Sequence, residues 1–254
     1  MLAVVERLRA EGHIVDIVSE SEPWTLPADC DRVLSMGRLP ETLRKLQDAG
    51  VRAVNSPAGV AHCRRKVLQQ LMRENKVPMP PEEGDCGYWL KRGDAAGSMT
   101  DDDVVFAADS AALQACEAAF RRRGIDDYVV SAHVKGDEVK FYGVLHTGFF
   151  RSYHSSGLQS AEVPGLLEAE MSGLQSETEV SGQSETEVPG LQEAAERLAA
   201  IVGVEVYGGD CIVKDDGTFC IIDFNDWPSF SRCREEAAEA IARCAKESSL
   251  RPKE

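Results

Sequence analysis

Two apolar runs, Val206–Val213 and Thr218–Asn225, flank a Lys-Asp-Asp-Gly tetrapeptide at 214–217. Their β-branched and aromatic residues, joined by a Gly-terminated turn, predict an antiparallel hairpin. The second strand ends in Asp223-Phe224-Asn225. Alternation along a strand puts Asp223 and Asn225 on one face and Phe224 on the other. Asp210, which follows Gly208 and Gly209, can meet them across the pair. Three oxygen-bearing groups on one sheet face suit a hard cation. Mg²⁺ takes one or two carboxylates and completes its octahedron with phosphate and water. The plain alternative is an Asp-rich loop end. Against it, Asp223 follows Ile221 and Ile222 in an apolar strand, where an unpaired carboxylate is costly. The chain then continues as Asp-Trp-Pro-Ser-Phe, a shaped loop rather than a solvated turn.

The rest of the chain alternates helical and extended patterns. Residues 1–10 have helical spacing, and His13–Ser19, Arg32–Met36 and Val51–Asn55 read as strands. A helix from Pro40, closed by Gly50, lies between the last two. This predicts a small parallel α/β unit over residues 1–55. The unit starts on a helix, so it reads as truncated at its N-terminus, and its open strand edges predict pairing with a second copy of the chain. A helix is expected from Ser56 to Asn75, a strand over residues 88–94, a helix over 110–123 and a run of strands over 126–154. Helices over 192–202 and 235–247 complete the pattern.

Residues 155–190 differ in kind. Gln-Ser-Glu-Thr-Glu-Val occurs at 175–180 and again at 183–188, and Glu-Val-Pro-Gly-Leu at 162–166 and 187–191. Seven glutamates and no Lys or Arg supply −7 of the net −15. Without aromatics such a segment has little to offset the entropy of ordering, and it reads as a disordered, acidic surface insertion. The net charge also argues against a nucleic-acid binder, which needs clustered Lys and Arg. No apolar run approaches a membrane span, and no signal peptide is present, so a soluble, cytoplasmic protein is expected. Eight scattered cysteines with no Cys-x-x-Cys pair fit buried thiols in a reducing compartment.

Two lysines are placed for phosphate. Lys66 lies on the helix after Asn55-Ser56-Pro57, and Lys91 on the strand before a Gly93–Ser98 loop that contains Gly97. A mobile point charge suits polyphosphate, and glycines let backbone N–H groups approach it. Taken singly, each lysine also fits a solvated helix or a Lys-Arg-Gly turn.

The order of these pieces is more informative than any one of them. Asn55, Lys66, the Val-Pro-Met-Pro stop at 77–80, Lys91 and its loop, Gly136-Asp137-Glu138-Val139-Lys140, Asp210 and Asp223-Phe224-Asn225 together resemble the ATP-grasp superfamily. That superfamily includes D-alanine–D-alanine ligases, ribosomal-protein glutamate ligases and inositol trisphosphate kinases. The resemblance runs from Asn55 to Ala245, with the repeat segment as an insertion. It implies an α/β ATP-grasp fold with α+β lobes: the small unit over 1–55, a first lobe over 56–130 and a C-terminal lobe over 131–254. Lys66 and Lys91 would hold the ATP phosphates, with Gly93, Gly97 and Ser98 in the flap above them. Ala132 and Val134 would meet adenine through the interlobe backbone, and Glu138 the ribose. Lys140 and Arg151 would face the γ-phosphate and acceptor as catalytic cations, and Asp210, Asp223 and Asn225 would bind Mg²⁺. The implied activity is ATP- and Mg²⁺-dependent phosphorylation of a small-molecule or peptide carboxylate, then attack by an amine. A small-molecule kinase and an ATP-binding protein without turnover are the alternatives. Ser131-Ala132 stands where the superfamily usually carries Gln-Glu or a similar pair.

Overall fold

The computed structural model describes residues 1–93, 101–155 and 185–247. In chain order these form α1 (Leu2–Ala10), β1 (Arg32–Leu34), α2 (Pro40–Ala49), β2 (Arg52–Val54), α3 (Pro57–His62), α4 (Arg65–Glu74), β3 (Tyr88–Arg92), β4 (Val104–Ala107), α5 (Ser110–Arg122), β5 (Tyr128–Ala132), β6 (Asp137–Val144), β7 (Phe149–His154), α6 (Leu191–Val202), β8 (Val206–Val213), β9 (Phe219–Asp226) and α7 (Arg234–Lys246).

Three sheets result. β1 and β2 pair in parallel; β4-β3-β5 and β7-β6-β8-β9 are antiparallel. The local signals act as the sequence predicts. Pro40 starts α2 and Gly50 ends it in the left-handed conformation. Asp109 caps α5 by accepting from the Ala112 N–H at 2.8 Å. The hairpin turn closes with Lys214 N–H to Thr218 O at 2.8 Å.

Three expectations need correction. Residues 13–19 form no strand. The only described strands of the parallel unit, β1 and β2, pair with each other. Apolar composition gives strand propensity, but a strand needs a backbone partner; Ile14 is 95% exposed. The helix expected over 56–75 is two helices, because Arg64 is extended (φ −61°, ψ 130°). No Pro or Gly marks that break. α3 docks on the end of α6 through Ser56 Oγ to Gly203 O at 3.0 Å and His62 Nδ1 to Val202 O at 2.9 Å. A Cβ at Gly59 would lie 2.2 Å from Gly203 O, so this approach requires glycine. The acidic insertion is ordered at its end. Glu185 bridges to Tyr153, Ser152 accepts and donates backbone bonds at Thr186, and Val188 joins the core. Residues 156–184 lie outside the described residues.

The main core lies between α4, α6 and one face of the four-stranded sheet, with Val139, Phe141, Leu198, Tyr207, Cys211 and Phe224 inside it. α7 packs on the other face at one end and also holds α1 through Val4, Leu8 and Ile241. Asn55 joins the N-terminal unit to β8. Its side chain donates to Val206 O at 2.7 Å and accepts from the N–H groups of Glu205 and Val206 at 2.8 and 2.7 Å. No helix among the described residues is long and apolar enough to cross a membrane.

Candidate active site: a charged cleft between two sheets

On the sheet face opposite the main core, register aligns four strands into one row. Tyr153 on β7 lies opposite Lys140 on β6, Lys140 opposite Asp210 on β8, and Asp210 opposite Asp223 on β9. A bulge between Asp210 and Cys211 adjusts the last pairing, a common device where a strand re-aims a side chain. Lys140 Nζ donates to Asp210 Oδ1 at 2.8 Å and lies 3.8 Å from Glu138 Oε1. Asn225 donates to Asp223 at 2.8 Å. Asp223 is half-buried and Asn225 is exposed, so the strand end is open to a ligand.

The first-lobe sheet faces this row. Trp89 and Lys91 of β3 share a face with Val129 and Ser131 of β5. The cleft between the sheets is lined by Arg65, Met72, Met79, Lys91, Ser131, Ile222 and Asp223, among others. Lys91 Nζ crosses it to the Ile222 carbonyl at 3.3 Å. Burial, with Arg65 nearby, pulls the Lys91 ammonium below its usual range, against the opposing charges of Asp223, Asp210 and Glu138. For Lys140, burial acts in the same direction but is outweighed by the bond to Asp210 and the charge of Glu138, so its pKa rises. Asp210 is also raised, because burial and the neighbouring Asp223 and Glu138 outweigh Lys140. Both members of the pair thus hold protons more tightly, Asp210 first because of burial and Lys140 first because of its bond to Asp210.

The other expected residues are placed as follows. Lys66 is 70% exposed and lies 3.8 Å from Asp127. It is Arg65 that lines the cleft, donating to Arg92 O at 2.6 Å. Arg65, Leu68, Gln69 and Met72 follow helical spacing along one face of α4, a signal readable from sequence. Gly93 donates to Asp127 O at 2.7 Å, and a Cβ there would meet the Asp127 carboxylate at 2.5 Å. Gly97 and Ser98 lie outside the described residues. The Ala132 N–H is bonded to Pro81 O at 2.8 Å. Val134 follows in the interlobe segment, and Glu138 accepts from Ser155 Oγ at 2.9 Å. Arg151 shares the sheet face of Lys140 but is engaged by Glu185 at 3.1 Å and Glu236 at 2.6 Å.

Sequence reasoning also missed an aromatic group at the outer end of the cleft face. Trp89 donates to His133 Nδ1 at 3.1 Å and packs on Phe106 with ring centroids 5.2 Å apart. Trp227 is buried and Phe230 packs on Tyr142, which gives both a packing role.

No protein-family model matches the sequence, and no curated protein is similar to it at the sequence level. Solved structures are similar in fold. A RimK-domain ATP-grasp protein from Sphaerobacter thermophilus matches over 97% of this chain and 95% of its own, at TM-score 0.67 and 18% identity. The ATP-grasp ligase PsnB, in complex with a minimal precursor, matches over 95% and 94%, at TM-score 0.60 and 16% identity. The D-alanine–D-alanine ligase from Coxiella burnetii matches over 95% and 77%, at TM-score 0.59 and 12% identity.

The chain has the ATP-grasp fold. The β4-β3-β5 sheet packs with α5, and the four-stranded sheet with α6 and α7. Among the described residues no three His, Cys, Asp or Glu side chains converge as a metal site. The open end of β8 and β9 instead offers two carboxylates and an amide, Asp210, Asp223 and Asn225. That donor set fits Mg²⁺ sharing its shell with phosphate and water.

Proposed function

We propose that the protein is an ATP-dependent ligase that phosphorylates a carboxylate and passes the acyl group to an amine. The observation that carries this reading is the Lys140–Asp210–Asp223 row facing Lys91 across the cleft. Lys91 and Arg65 would bind the phosphate chain, as a point charge and a fork respectively. Met72, Met79 and Ile222 offer an apolar slot for the base, and Glu138, beside it on β6, would accept from the ribose. Asp210, Asp223 and Asn225 would hold Mg²⁺, which neutralises charge on the transferring phosphoryl group. Lys140 would exchange its bond with Asp210 for one with the γ-phosphate or the acceptor. The carboxylate would attack the γ-phosphorus and displace ADP; the amine would then displace phosphate from the acyl phosphate.

ATP-grasp ligases among the structural neighbours support this class, and PsnB has been solved with precursor peptide and AMPPNP, and with Mg and ADP. The acceptor carboxylate here accordingly sits on a small molecule or a peptide. Nucleotide binding without turnover is favoured by one observation: Arg151 is already engaged by Glu185 and Glu236. The purified chain, given ATP, Mg²⁺ and mixed amino acids and peptides, should release ADP over many turnovers only when a carboxylate and an amine are both present. ADP release to polyols would assign a kinase instead. Saturable ATP·Mg binding with no turnover across the screen would assign the binding protein.

A further inference from the structure

Resting on the ligase reading, we infer that Lys140 controls entry of the metal: it competes with Mg²⁺ for Asp210, so that the ion binds only together with the nucleotide. Lys140 and Asp210 face each other in register on β6 and β8. Lys140 Nζ donates to Asp210 Oδ1 at 2.8 Å and stands 3.8 Å from Glu138 Oε1. The ammonium thus holds a carboxylate oxygen that a hard cation would take. The Asp210 side chain is 22% exposed. Water and salt screen such a pair less than one on the open surface.

The other candidate ligands are also satisfied within the chain. Asn225 Nδ2 donates to Asp223 Oδ2 at 2.8 Å. A carboxylate only accepts, so the Asn225 amide turns its NH₂, not its oxygen, toward Asp223. From the facing sheet, Lys91 lies in the field of Asp223, Asp210 and Glu138, and its Nζ donates to Ile222 O at 3.3 Å. Three carboxylates thus stand against two ammoniums. That balance leaves a single uncompensated negative charge to draw a divalent ion.

A nucleotide changes this balance. Its triphosphate attracts both ammoniums and brings oxygens of its own. When Lys140 turns from Asp210 to phosphate, the Asp210 oxygen becomes available to a cation in the same event. Affinities for Mg²⁺ and for nucleotide then rise together, each by the same factor, as linkage requires. A lysine that served the phosphate alone would need no bond to a metal ligand; the Lys140–Asp210 bond is what makes it a competitor. Removing the ammonium leaves Asp210, Asp223 and Glu138 with one counter-charge fewer, and hard cations favour carboxylate oxygens.

The test titrates the purified chain, without nucleotide, with Mn²⁺, which also takes carboxylate oxygens and whose free ion is read by electron paramagnetic resonance. Lys140→Met and Lys140→Gln should each bind Mn²⁺ about tenfold or more tightly than the wild type, as for release of one charged hydrogen bond. Lys140→Arg keeps a cation beside Asp210 and should stay within about threefold of the wild type. Adding Asp223→Asn to Lys140→Met should abolish the gain. Calorimetry of AMPPNP with Mn²⁺ and with EDTA reads the coupling, which should shrink in Lys140→Met by about the factor that its Mn²⁺ affinity gains. Equal Mn²⁺ affinity of the wild type and both neutral variants, a gain shared by Lys140→Arg, or a gain that survives Asp223→Asn would overturn the assignment. A wild type that binds no AMPPNP in either condition overturns the nucleotide reading beneath it.

Discussion

Lys91 donates across the interlobe cleft to the carbonyl of Ile222, the residue before Asp223, at 3.3 Å. One ammonium therefore joins the first lobe to the strand that carries the candidate metal ligands. Burial pulls its pKa below the usual range against the opposing charges of Asp223, Asp210 and Glu138, so the cation is held partly desolvated at the cleft. A polyphosphate there would add to the charges that favour its protonated form.

Lys91→Ala should weaken AMPPNP·Mg binding about tenfold or more, and Arg65→Ala similarly, because both line the cleft. Lys66→Ala should change it less than about threefold, since Lys66 is exposed and paired with Asp127. Calorimetric titration of the three variants checks this order. Loss of binding in Lys66→Ala alone would return the phosphate role to the residue that the superfamily resemblance selects.

Much of this site was readable from sequence. The hairpin, the facing of Asp223 and Asn225 away from Phe224, and the Lys91 strand all follow from alternation and turn chemistry, which are local. Arg65 was not found because the resemblance selects Lys66, although helical spacing groups Arg65 with Leu68 and Met72. The break at Arg64 and the isolation of residues 13–19 are tertiary outcomes. One depends on α3 docking at Gly203 and the other on the lack of a pairing strand, and neither is encoded within a few residues. The burial of Asp226 could have been read, because alternation puts it on the strand face of Phe224.

Asn55→Ala should lower stability by about 2–4 kcal/mol. It removes three hydrogen bonds between the N-terminal unit and the start of β8, among them the Asn55 acceptor of the buried Val206 N–H. Urea denaturation with unchanged m-value checks this. A loss below about 0.5 kcal/mol would show that the tether contributes little.

Tyr153 and Glu185 are bridged, so the two ends of the acidic insertion lie side by side. Replacing residues 156–184 by a short Gly-Ser loop should therefore leave the melting temperature within a few degrees of the parent. Val188→Ala, outside the deleted stretch, should cost about 1–2 kcal/mol because Val188 belongs to the main core. A large drop for the deletion with none for Val188→Ala would reverse this account of the segment.

The account rests on a Mg²⁺-dependent nucleotide site built on Asp210, Asp223 and Asn225. The most direct measurement is calorimetric titration of AMPPNP into the purified chain, with Mg²⁺ and with EDTA, for wild type and Asp223→Asn. The account predicts saturable one-to-one binding with Mg²⁺, weakened about tenfold or more by EDTA. It also predicts that the Mg²⁺ enhancement is lost in a folded Asp223→Asn variant. Absence of wild-type binding, or equal affinity with and without Mg²⁺ in both proteins, would contradict it.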